Sequence, residues 1–358
     1  MIYLTNYHCN FHGDVIIRGQ SGGTPPNVFP RSFGVWADAG FKLDAGTGTI
    51  NIRGKSESES AIWLGTTESA GALSPIAITS ASTAANAITI HGESTTNSHG
   101  FIANWDGTTG SNVLIQSSAS IGGGVSITGI TNGALDGIIL GQTGTSESIQ
   151  ILSQAGDVSL ISNEGLYFGN DSFLGNRKDG TAVNGVTPSV QTSSANIIVR
   201  ANSFNGSSAI DVSAAGELTI EPYGNVFSSA YSTSGLTLVS ALTGLTIGKS
   251  TNTANVTISN AIDIAGPITV YGGDIDVNAN LTSTVTNADI VLKASGTVEI
   301  QDNTGIETNG GDLILWSNSD NVNGGNALMG QNVTLDSRQG GASTGGGHIH
   351  IAGGADTN

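Results

Sequence analysis

The chain has 358 residues, including 52 glycines but only 9 Phe, 6 Tyr and 4 Trp, and 11% of it is charged, against roughly 25% in an average soluble domain. That supply of rings excludes a thick aromatic core, and 37% hydrophobic residues exclude a chain kept disordered by charge. Eleven Lys and Arg against 28 Asp and Glu give a formal charge of -17, which argues against DNA or RNA as a partner, and the dispersed basic residues form no block suited to anionic lipid.

The opening residues, MIYLTNYHCNFHGDV, lack a basic region followed by a sustained apolar run. No later stretch reaches the roughly 18 to 20 apolar residues of a membrane-spanning helix. Tyr7-His8-Cys9-Asn10-Phe11-His12 offers three soft ligands, yet nothing nearby completes a four-ligand zinc site. Cys9 is the sole cysteine, so no intrachain disulfide can form.

Short apolar alternations then recur, mostly introduced by Gly, Asn or Asp. In chain order they include GDVII at 13–17, GTINI at 48–52, NAITI at 86–90, NVLI at 112–115, GVSI at 124–127, GDVSL at 156–160 and NIIV at 196–199. They continue as GELTI at 216–220, GLTL at 235–238, GLTI at 244–247, NVTI at 255–258 and GDIDV at 273–277, then DIVL, GTVEI, GDLIL, NVTL and GHIHI. Period-two alternation of β-branched residues predicts strands with one buried face, and no window sustains a helical period. Leu236, Val256, Ile275 and Val298 are separated by 20, 19 and 23 positions, the length of one solenoid coil. A sandwich of limited size and a propeller with aromatic blade signatures both fit less well than a parallel β-helix. The prediction is a single solenoid over 1–358 with coils of roughly 20 residues, hence about 17 coils, apolar columns inside, and Gly or Asn at corners of positive φ.

Two stretches break the rhythm and are predicted to be loop insertions. Residues 20–44 carry Phe29, Phe33, Trp36 and Phe41, and residues 165–194 carry Tyr167, Phe168, Phe173, Arg177 and Lys178. Tolerated insertion is the plainer reading; the functional one makes these aromatic residues a contact platform for sugars or a partner. Trp63 and Trp316 alternate with aliphatic neighbours and are expected to pack on a sheet surface. Asp14, Asp157, Asp274 and Asp312 each follow a glycine at a strand start. Stacked in one column they would form a calcium-binding ladder of carboxylate oxygens; staggered, they are solvated corners, and no other cofactor is expected. His348 and His350 flank Ile349, so both imidazoles point to one face, most simply a solvated one, opposite a buried Ile349. No serine-hydrolase elbow occurs, and Arg177 and Lys178 beside Asp179, or Arg200, find no compact acidic cluster in sequence, so no catalytic residue is predicted.

The strings AGDVSL, GPITVYGGDIDVNA, ADIVLKASGTVEIQDNTGIETNGGDLILWSNSDN and GQNVTLDSRQGGASTGGGHIHIAGG resemble the repeat regions of filamentous-haemagglutinin-like bacterial adhesins, most closely from Ala209 to Gly354. The resemblance implies a right-handed parallel β-helix in a large exported or surface-displayed protein that attaches without catalysis. Residues 1–60 show none of that family's secretion-domain motifs, so an internal piece of a longer chain is expected. The expected role is a stalk and multivalent contact surface outside a bacterial cell, meeting glycans or a host or neighbouring-cell surface. The alternatives are a self-assembling filament or sheath subunit and a β-helix carbohydrate-active enzyme.

Overall fold

The computed structural model describes residues 1–4, 8–22, 32–65, 75–104, 112–141, 148–169, 172–175, 193–206, 210–322, 324–341 and 345–354. Apart from the single 3-10 turn Gln339–Gly341, every helix or strand among them is a β-strand. Strand pairing is parallel, and an antiparallel bridge joins Arg338 to Gly346. The predicted parallel β-solenoid is therefore the fold. No helix among the described residues is long and apolar enough to cross a membrane.

The chain divides into two compact units, Met1–Ala214 and Ala215–Asn358. In the first unit each coil lays one strand on each of three faces in turn. The first face contains Val35–Ala37, Ile62–Leu64, Phe101–Ala103 and Ile138–Leu140. The second contains Lys42–Asp44, Ile76–Ser80, Val113–Ser117 and Ile149–Ser153. The third contains Val15–Ser21, Ile50–Ser56, Asn86–Ser94, Gly124–Thr131, Val158–Ser162 and Ile197–Arg200.

Register on the third face shows the coil length directly. Val15, Ile50, Ile88, Val125, Val158 and Ile197 stack on successive rungs, at intervals of 35, 38, 37, 33 and 39 residues. The predicted spacing near 20 belongs to the second unit, where Val256, Ile275 and Val298 stack at intervals of 19 and 23. Leu245, Ile268, Ile290 and Leu313 stack there at 23, 22 and 23. Because the first unit's coils are longer, six third-face rungs are described in it, and six corresponding strands in the second unit, in place of about 17 coils.

The longer coils absorb much of what looked like insertion. Residues 20–44 include Val35–Ala37 and Lys42–Asp44, and residues 165–194 include Gly165–Phe168 and Ser172–Gly175, all ordinary rungs of the first and second faces. Residues 23–31 and 176–192 lie outside the described residues.

Packing follows from the alternation. On the third face the inward column Ile52, Ile90, Ile127 and Leu160 is fully buried, and each such side chain contributes roughly 1.5–3 kcal/mol by leaving water. The same strands carry a repeated motif, an inward aliphatic residue followed two positions later by Gly and two later again by Ser or Thr. It appears as Ile17-Arg-Gly19-Gln-Ser21, Ile52-Arg-Gly54-Lys-Ser56, Ile90-His-Gly92-Glu-Ser94 and Ile127-Thr-Gly129-Ile-Thr131. The glycines stack in register, and a Cβ on Gly92 would lie 1.8 Å from the carbonyl oxygen of Gly100, so the chain passes too close there for any side chain. The hydroxyls form an internal ladder: Ser56 Oγ donates to the Ser32 carbonyl at 2.8 Å and Ser162 Oγ to that of Gly165 at 2.7 Å. In the second unit Asn303 and Asn332 occupy corners at φ 61° and 56°, and Asn332 donates to the Asn303 side chain at 3.1 Å.

Candidate functional site

The aromatic residues predicted to form a contact platform are packed in or onto the solenoid. Phe33, Phe41 and Phe168 are buried, Trp36, Tyr167 and Phe173 are half-buried, and Phe29 lies outside the described residues. On the outer side of the first face Phe33, Trp63, Ile102 and Ile139 form a second apolar layer, with Trp36 and Tyr167 against it. Phe33 lies 4.9 Å from Trp63 and 5.7 Å from Trp36, ring centroid to centroid, and Tyr3 stands 4.4 Å from Trp36. Phe173 packs on Leu114 and Leu152 of the second face. These rings spend their surface on each other over the middle rungs, where Ile62–Leu64, Phe101–Ala103 and Ile138–Leu140 are buried on both sides. Arg177, Lys178 and Asp179 lie outside the described residues.

The glycine-linked aspartates do not stack into one ladder. Asp14 and Asp157 precede Val15 and Val158, four rungs apart in one corner, while Asp274 and Asp312 belong to two different corners of the second unit. Asp14, Asp274 and Asp312 act as caps on the next rung. Asp14 Oδ1 accepts the Thr49 amide and hydroxyl, both at 2.8 Å, and these bonds hold its carboxyl below the usual range. Asp274 accepts the Thr297 amide at 2.8 Å, as Asn255 accepts that of Asp274 at 2.9 Å. Each cap satisfies a strand-start amide that the corner would otherwise leave unpaired. A shallow polar groove of about 340 Å³ runs beside this corner, lined by Asn255, Asp274, Ser295 and Asp320. Nearby, partial burial and then the neighbouring Glu299 and Asp274 raise the carboxyl pKa of Asp276.

Coil stacking concentrates charge that looked dispersed. Arg18, Arg53 and His91 occupy successive rungs of one outward column on the third face, at the roughly 4.8 Å rung spacing. Lys55 and Glu93 stand in the next outward column, with Lys55 Nζ 2.9 Å from Glu93 Oε1. Burial, and then the positive charge of Arg53, hold His91 below its ordinary pKa. Sequence reasoning missed this column; the signal that locates it is the recurring Arg-Gly or His-Gly of the third-face motif.

At the last described strand of the second unit, Ile349–Gly353, the two histidines share one side, their ring centroids 5.5 Å apart. Ile349 between them is exposed where the alternation predicted burial, because this strand has no described neighbour on its far side. Register sets His350 opposite Ile314 and brings His348 to the rung after Asp312. Asp312 Oδ1 accepts the His348 amide at 2.7 Å and lies 3.3 Å from its Nδ1. The amide bond is the largest cause holding the Asp312 carboxyl below the usual range. Asp312, His348 and His350 each offer one ligand atom within 4.8 Å of the others. Thus one of the four aspartates and the histidine pair, considered separately in the sequence, converge here. His8 has no described side chain, and His12 is exposed. No protein-family model matches this chain, and neither a curated protein nor a solved structure matches it.

Proposed function

We propose that this protein is a non-enzymatic, adhesin-type β-solenoid acting outside a bacterial cell, with its polar outer side chains as a multivalent contact surface. The observation that carries this reading is the in-register stacking of Arg18 and Arg53 on adjacent rungs, followed by His91, which burial holds below its ordinary pKa. Stacked like charges repel one another, and neither Arg18 nor Arg53 has a carboxylate ion-pair partner among the described residues. An anionic glycan laid along the column would relieve that repulsion, its successive acidic groups meeting basic groups on successive rungs. Single contacts of this kind are weak, and repetition supplies the avidity.

A glycan array containing neutral, uronate-bearing and sulfated chains tests the proposal. Acidic glycans should be retained at low salt and lost on replacing both arginines, Arg18→Gln with Arg53→Gln. Equal retention by the double variant, or no retention of any acidic glycan by the wild type, would reject the glycan-contact role.

A further inference from the structure

We propose that Asp312, His348 and His350 form a binding site for a divalent first-row transition ion of the Zn²⁺ class. Two imidazole nitrogens and one carboxylate oxygen are a donor set that suits such ions better than Ca²⁺ or Mg²⁺, which prefer all-oxygen shells. In a tetrahedral zinc site, ligand bonds of about 2.0–2.2 Å leave neighbouring donor atoms roughly 3.3–3.5 Å apart. The Asp312 Oδ1 to His348 Nδ1 distance is already 3.3 Å. The widest separation in the trio is within 4.8 Å, so closure needs a movement of at most about 1.5 Å.

That movement is available because the histidines are exposed, the His348 side chain at 79%. The backbone frame is fixed by parallel pairing of Leu313–Ser317 with Ile349–Gly353 and by the His348 amide on Asp312. Strand alternation keeps both imidazoles on the side of the carboxylate, so the ligands are grouped before an ion arrives. The chain's formal charge of -17 favours a cation. Three protein ligands leave a fourth position for water or for a donor from another molecule.

The test is titration of the full chain with Zn²⁺ against a chromophoric chelator, alongside Co²⁺ absorption spectra. The wild type should take up one Zn²⁺ that millimolar Ca²⁺ or Mg²⁺ does not displace. His350→Gln removes a ligand without touching the amide cap, and Asp312→Asn keeps an acceptor for that cap while removing the anionic donor. Loss of a direct ligand should weaken uptake at least as much as loss of an outer-shell partner does elsewhere, about 10- to 100-fold. The Co²⁺ bands should vanish in the His348→Ala, His350→Ala double variant, with an unchanged far-UV circular dichroism spectrum. Identical Zn²⁺ uptake by the wild type and that double variant, which retains Cys9, His8 and His12, would overturn the site, as would a wild type that takes up no ion.

Discussion

Replacing Gly92 by alanine tests the close approach of chain segments inside a coil of the first unit. The new Cβ would sit 1.8 Å from the Gly100 carbonyl oxygen and 2.6 Å from its carbon. That carbonyl accepts the Ile62 amide at 3.0 Å across the rung, so the only backbone that can retreat is backbone already hydrogen-bonded. Overpacking costs about 1–3 kcal/mol, and weakening the buried rung bond about 1–3 kcal/mol more. Opposing this, Gly92 has no positive φ, so alanine recovers about 0.4–1 kcal/mol from the unfolded chain. The expected net loss is about 1–5.5 kcal/mol. Urea unfolding followed by circular dichroism would measure it, with hydrogen exchange over 86–104 to catch local opening in a repeat structure. Gly13→Ala is the control, since nothing lies within 4 Å of its Cβ position, and it should leave stability unchanged or raise it by up to about 1 kcal/mol. A Gly92→Ala protein as stable as the wild type would refute the packing argument.

Ser56→Ala removes a hydroxyl that donates to the Ser32 carbonyl and accepts the Glu59 amide at 3.0 Å inside the coil. It should cost about 1–3 kcal/mol in the same unfolding assay, whereas the half-exposed Ser159→Ala should change little. His99 is held below its ordinary value of 6.5, chiefly by burial, so on acidification the unfolded chain takes up a proton before the folded one does. Stability should therefore fall as pH drops below 6.5, down to the depressed folded value, and His99→Asn should flatten that part of the profile; identical slopes would reject the assignment. Glu93→Gln breaks the exposed pair with Lys55 and should cost less than about 1 kcal/mol, shrinking further in 1 M salt. A loss above about 2 kcal/mol would show that the pair is doing more than a surface ion pair does.

Alternation made the third-face strands legible: Ile50–Ser56 reads buried and polar in turn because one side faces the core and the other water. The first-face strands Ile62–Leu64, Phe101–Ala103 and Ile138–Leu140 are buried throughout, so no period-two signal marks them. Their aromatic neighbours therefore looked like surface insertions when they were a second packed layer. Local sequence also predicted that His348 and His350 share a side, since alternation requires no knowledge of the rest of the chain.

What lies above and below a residue is a different kind of information. Asp312 and His348 are 36 positions apart, and Arg18 and Arg53 are 35. Their meeting depends on how many residues the intervening loops consume, and side-chain alternation does not encode that count. The sequence by itself determined that this chain forms parallel strands around an aliphatic interior. Only the tertiary structure decided the coil length of each unit, and with it which charges and which ligands stand on adjacent rungs.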